Sequence, residues 1–126
     1  MDLFYHPVTE ARFDHNIGFS GCSSRVIKIK GRSEEVLRGF KRESFHLAYI
    51  DGSHRAQDVR ADAWLIWPLI IPGGVVIFDD YLWEPERAAE ERPQIAVDQF
   101  LSAFSSELEI LHKQYQVVVR KLANRL

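Results

Sequence analysis

Two short apolar runs, each halted by acids, give this chain its pattern. Phe45-His46-Leu47-Ala48-Tyr49-Ile50 has the aliphatic and aromatic content of a buried strand and stops at Asp51-Gly52-Ser53-His54. Pro72-Gly73-Gly74 then turns the chain into Val75-Val76-Ile77-Phe78, a second buried strand, which Asp79-Asp80-Tyr81 closes. Between them, Ala56 to Ile70 has the length and period of a helix, with Val59, Ala63, Ile66 and Trp67 at helical spacing. Pro68 kinks or unwinds its last turn. Strand, helix, strand is a parallel crossover unit, and ligands bind outside the carboxyl ends of parallel strands. Both strands therefore deliver carboxylates to one edge.

The remaining pattern is simpler. Thr9 to Ile17 reads as a short helix with Phe13 and Ile17 on one side, and Gly18 to Ser24 as loop. Arg25 to Lys30 alternates from Ile27 onward and predicts a strand with one wetter face. Ser33 caps a predicted helix running to about Lys41, with Glu34 and Glu35 at the positive end of its dipole. Leu82 to Pro93 is irregular and rich in Glu and Arg. Ile95 to Ser105 predicts a helix anchored by Ile95, Phe100 and Phe104. Leu108 to Leu111 and Tyr115 to Arg120 predict an antiparallel hairpin turning at His112-Lys113-Gln114.

Length and composition narrow the class without changing this picture. At 126 residues the chain is read as a single domain with one core. A net charge of -2, from 16 basic and 18 acidic residues, gives no reason to expect a nucleic-acid partner. The longest apolar run, Leu65 to Ile71, contains a proline and is too short to cross a bilayer. Met1-Asp2-Leu3 does not open a signal-peptide pattern, and the lone Cys22 excludes an internal disulfide, so a cytoplasmic setting is expected.

Chemistry enters with the acids. Asp51, Asp79 and Asp80 are expected to meet at the sheet edge, where three oxygen donors suit a hard divalent cation such as magnesium. Unpaired, they would repel one another and raise each other's pKa. The plainer alternative is that Asp51 caps the following helix while Asp79 and Asp80 simply end a strand. His54, three residues after Asp51, can take a proton at neutral pH, or can be a capping or solvent-exposed histidine. His6, His15, His46 and His112 lack such a setting.

Tyr49-Ile50-Asp51-Gly52-Ser53-His54, the spacing to Pro72-Gly73-Gly74, and Ile77-Phe78-Asp79-Asp80-Tyr81 resemble class I S-adenosylmethionine-dependent methyltransferases. More narrowly, they resemble the metal-dependent O-methyltransferases of macrolide sugars and, more remotely, catechol O-methyltransferase. The likeness runs from about Phe13 to Lys121. It implies magnesium on Asp51, Asp79 and Asp80, His54 as the base for the acceptor hydroxyl, Ser33 near the adenine, and Asp2 gripping the cofactor ribose. The implied reaction is magnesium-assisted methyl transfer from S-adenosylmethionine to a small-molecule hydroxyl.

The family's opening strand, glycine-rich loop and helix have no counterpart here, since the only early glycines are Gly18 and Gly21. The fold expected is therefore α/β: an N-terminally truncated Rossmann-like sheet, mainly parallel, with an antiparallel C-terminal hairpin. Without the missing strand, Arg25 to Lys30 can pair directly with Phe45 to Ile50, or two copies can cover the gap as a homodimer. The rival to an enzyme is a non-catalytic remnant that self-associates or binds a partner. A third reading, a phosphoryl-handling protein using Asp79-Asp80 with magnesium, ranks last because the acidic pair comes late in the chain.

Overall fold

The structure is a computed structural model; it describes residues 26–29, 37, 39–51 and 55–123. Five strands form one sheet in the order β1-β2-β3-β5-β4: β1 Val26–Ile29, β2 Phe45–Ile50, β3 Ile70–Phe78, β4 Leu108–Lys113 and β5 Val117–Lys121. β1, β2 and β3 are mutually parallel, and β5 runs antiparallel to both of its neighbours, β3 and β4. This is the mixed α/β sheet that the sequence pattern predicts. Val26–Ile29, the described part of the strand predicted at Arg25 to Lys30, does pair directly with β2, in the register Val26↔Leu47 to Ile29↔Ile50.

The alternation of side chains along each strand decides which rungs are buried. Ile27, Ala48, Val76 and Val119 lie side by side in one rung, and Ile29, Ile50, Phe78 and Val117 in another. All eight are buried. The rung Lys28, Tyr49, Ile77 and Val118, of the opposite parity, is only half-buried. Two helices cover the buried face, α1 Ala56–Ile66 and α2 Pro93–Ala103. Phe100 of α2 joins them to the sheet, with ring contacts to Phe78 at 5.1 Å, Trp67 at 5.1 Å and Trp64 at 5.7 Å.

Several boundaries differ from the sequence expectation, each for a physical reason. The helix from Ala56 stops at Ile66, and a 3-10 turn over Trp67–Leu69 takes its place because Pro68 cannot continue the α-helical ladder. Pro72-Gly73-Gly74 does not precede β3 but lies inside it as a bulge. Phe45 pairs with Ile70 and Leu47 with Val75, so the extra residues of β3 loop out where Gly73 takes φ 87°. Helix α2 buries Ala96, Val97, Phe100 and Leu101, a stripe that leaves the expected anchor Ile95 39% exposed. The hairpin turns at 114–116 rather than at His112-Lys113-Gln114.

The predicted helix at Thr9 to Ile17 lies outside the described residues. So does most of the one from Ser33, of which Leu37 is helical and buried, with turn following from Gly39. Among the described residues, no helix is long and apolar enough to cross a membrane.

Lys121 fastens the far edge. Its Nζ donates to the carbonyls of Trp67 at 2.8 Å and Ile70 at 3.0 Å and lies 5.1 Å from the centre of the Trp67 ring. The 3-10 turn and the start of β3 are thereby tied to the end of β5. Burial lowers this ammonium's pKa.

Candidate functional site

The carboxyl ends of β1, β2 and β3 lie together because their registers are in step. The Asp51 amide donates to Ile29 O at 2.9 Å, and the Asp79 amide to Ile50 O at 3.0 Å. Each strand's last rung thus orders the first residue after its neighbour, which places Asp51 beside Asp79 and Asp80. Asp80 interacts electrostatically with both and shares a side-chain hydrogen bond with Asp51. The structure brings the three carboxylates together.

What surrounds them was not legible in the acid pattern. The Tyr49 hydroxyl donates to Asp79 Oδ2, while the Asp80 amide at 2.8 Å and Gln116 Nε2 at 3.3 Å donate to Asp79 Oδ1. The Tyr115 hydroxyl donates to Asp80 Oδ1 at 2.8 Å. Tyr49 carried a sequence signal, since it stands two residues before Asp51 in a strand and so shares its side of the sheet. Tyr115 and Gln116 carried none. They arrive through the β4–β5 turn, some 35 residues along the chain from the acids.

Burial first, then the neighbouring carboxylates, push Asp80 up from 3.8 to about 6, against the lowering effect of the Tyr115 hydrogen bond. Burial and the Asp79 carboxylate raise the Tyr49 hydroxyl well above its ordinary value. Burial and Asp80 push the Tyr115 hydroxyl up to about 12. Both phenols therefore remain protonated donors at neutral pH. Asp80 itself takes φ 61°, a left-handed conformation that a non-glycine residue adopts at a cost.

Tyr81, buried beyond the acid pair, continues the network toward α2. Its hydroxyl donates to Asp98 Oδ1 at 2.6 Å, and Lys113 Nζ stands 5.6 Å from its ring centre.

Among the described residues, no group of three His, Cys, Asp or Glu side chains is placed to hold a metal ion. Magnesium on Asp51, Asp79 and Asp80 stays an expectation. Tyr49, Tyr115 and Gln116 place hydrogen-bond donors on Asp79 and Asp80. His54, Ser33 and Asp2 lie outside the described residues, so the structure positions Asp51 alone of the expected cofactor-binding residues.

Comparison with known proteins gives the following. A family described as a methyltransferase domain matches residues 2–81, a stretch that contains β1 to β3 and all three acids. No curated protein matches the chain. Among solved structures, a structural-genomics crystal structure of a Corynebacterium glutamicum protein is similar, with a TM-score of 0.55 at 19% identity. The alignment covers 75% of this chain and 46% of that one, so the chain spans about half the length of that relative. At this identity the likeness is one of fold.

Proposed function

Because the chain belongs to the methyltransferase domain family, we propose that it takes part in methyl transfer from S-adenosylmethionine to a hydroxyl of a small molecule, at the carboxyl edge of its sheet. The observation that carries this reading is the side-by-side ending of β2 and β3 in Asp51, Asp79 and Asp80, where an open parallel sheet takes its ligands. S-adenosylmethionine supplies a methyl group activated by a positively charged sulfur. Asp51, at the junction of β1 and β2, faces that edge as a cofactor contact, joined in this reading by Asp2 and Ser33. The acceptor oxygen forms its bond to the methyl carbon as the sulfur–carbon bond breaks, and its proton passes to His54 as base. The chain's share of this work is to orient the acceptor and take the proton.

Titration calorimetry of the full chain with S-adenosylmethionine and S-adenosylhomocysteine tests the proposal. Micromolar binding of both, weakened at least tenfold by Asp51→Ala with unchanged melting temperature, is expected. An absence of heat with either compound would end this reading.

The second reading is a non-catalytic module that self-associates. It is favoured by the way Tyr49, Tyr115 and Gln116 already satisfy Asp79 and Asp80. The same titration separates the two, because a structural acid cluster has no reason to recognise a sulfonium nucleoside.

A further inference from the structure

The β4–β5 turn is held to the acid pair, although nothing in strand pairing requires it. Gln114, Tyr115 and Gln116 are all exposed, and the turn closes on itself through Gln114 N–H to Gln116 O at 3.0 Å. Three further bonds reach across to β3's exit. Tyr115 OH donates to Asp80, Gln116 Nε2 donates to Asp79, and the Tyr81 amide donates to Tyr115 O at 2.8 Å. Tyr115 is 46% exposed even so.

The net worth of each such bond is modest, because the alternative is a bond to water, so the turn is held shut only weakly. Exposed hydrogen bonds and sparse apolar packing are the marks of segments that open locally. The chemistry of the Tyr115 contact is also exchangeable. An acceptor hydroxyl offered to Asp80 Oδ1 replaces one O–H donor by another, at little net cost.

We propose, on the methyl-transfer reading above, that the β4–β5 turn is a latch that gates access of the acceptor to Asp79 and Asp80, with Tyr115 as the residue the acceptor's hydroxyl displaces. Tyr115 is in this sense a positioning residue: it holds Asp80 until an acceptor takes its place. Its raised pKa keeps it a donor across the physiological range. The latch predicts two states of the acid pair, one covered and one accessible, with the sheet beneath unchanged in both.

Carboxylate labelling of the full chain with a water-soluble carbodiimide and glycine ethyl ester, read by mass spectrometry, measures this access. Wild type is compared with Tyr115→Phe and Gln116→Ala, two changes at an exposed turn. Exposed Glu86 and buried Asp62 serve as internal references in the same sample. Asp79 and Asp80 are expected to label about threefold to tenfold faster in both variants, the factor that loss of one such bond gives, with Asp62 unchanged. Equal labelling in wild type and both variants would overturn the latch. So would a parallel rise at Asp62, which would show that the turn only contributes to global stability. This result stands apart from the cofactor titration: a chain that fails to bind S-adenosylhomocysteine sinks the methyl-transfer reading whatever the labelling ratio, whereas equal labelling in a chain that binds it sinks the latch alone.

Discussion

Asp80 is the residue at which fold and site compete most openly. It is partly buried, next to two other acids, and held at φ 61°. Its folded pKa, about 6, lies above its unfolded value, so the stabilisation from its protonation is fully present below about pH 4 and is lost as pH rises through 6. At neutral pH the native state therefore carries an unrelieved carboxylate. Asp80→Asn removes that charge, keeps an oxygen to accept from Tyr115, and suits the left-handed backbone better. The substitution is expected to stabilise the chain at pH 7 by about 1 kcal/mol, once solvent screening of a partly exposed group is allowed for. Paired denaturant titrations at pH 7 and pH 4 check this, since the advantage should shrink to what the backbone alone supplies at the lower pH. An equal gain at both would show that charge has no part in it.

At the scale of elements, β3 depends on two glycines for different reasons. Gly73 stands at φ 87° with open space where a side chain would go, so Gly73→Ala should cost only the backbone penalty, about 1 kcal/mol. Gly74 has no room. A Cβ there would lie 2.6 Å from Ile70 Cγ2, 2.9 Å from Ile71 O and 3.0 Å from His46 O, two of which are backbone atoms. Gly74→Ala is therefore expected to cost about 2–3 kcal/mol, and Gly74→Val more, with no separate loss of cofactor binding. Thermal melts of the two alanine variants rank them, and a Gly73→Ala change as damaging as Gly74→Ala would contradict the packing argument.

The helical layer has a comparable centre in Phe100, which touches Trp64, Trp67, Phe78 and Phe104. Phe100→Ala should lower stability by about 3–5 kcal/mol, because rings from α1, the 3-10 turn, the end of α2 and β3 cannot all collapse into the space it leaves. A loss below about 1 kcal/mol by chemical denaturation would mean that the layer repacks freely.

For the whole molecule, the two edges of the sheet are unlike. β4 carries a bulge between Ile110 and His112 together with Glu109 and Lys113, devices that discourage pairing with another chain. β1 is regular and pairs with β2 in an unbroken parallel register. The chain is expected to sediment as a homodimer at micromolar concentration. A folded monomer under those conditions would refute this.

The parallel arrangement and the acid edge were legible in the sequence because both are local. Buried strands read as continuous apolar runs, and an acid closing such a run must emerge at the sheet's end, which fixed the places of Asp51, Asp79 and Asp80. Direct pairing of β1 with β2 was one of two arrangements that the pattern left open, the other being a second copy covering the gap, and the register settled it. Tertiary structure decided the rest. Whether Pro72-Gly73-Gly74 turns the chain before β3 or bulges within it depends on the register with β2, a long-range property that composition does not encode. Which residues neutralise the acids depended on where a distant hairpin tip comes to rest. Tyr115 and Gln116 reach Asp80 and Asp79 only once β5 has paired with β3, and hydrogen bonds from side chains so remote in sequence leave no local signature.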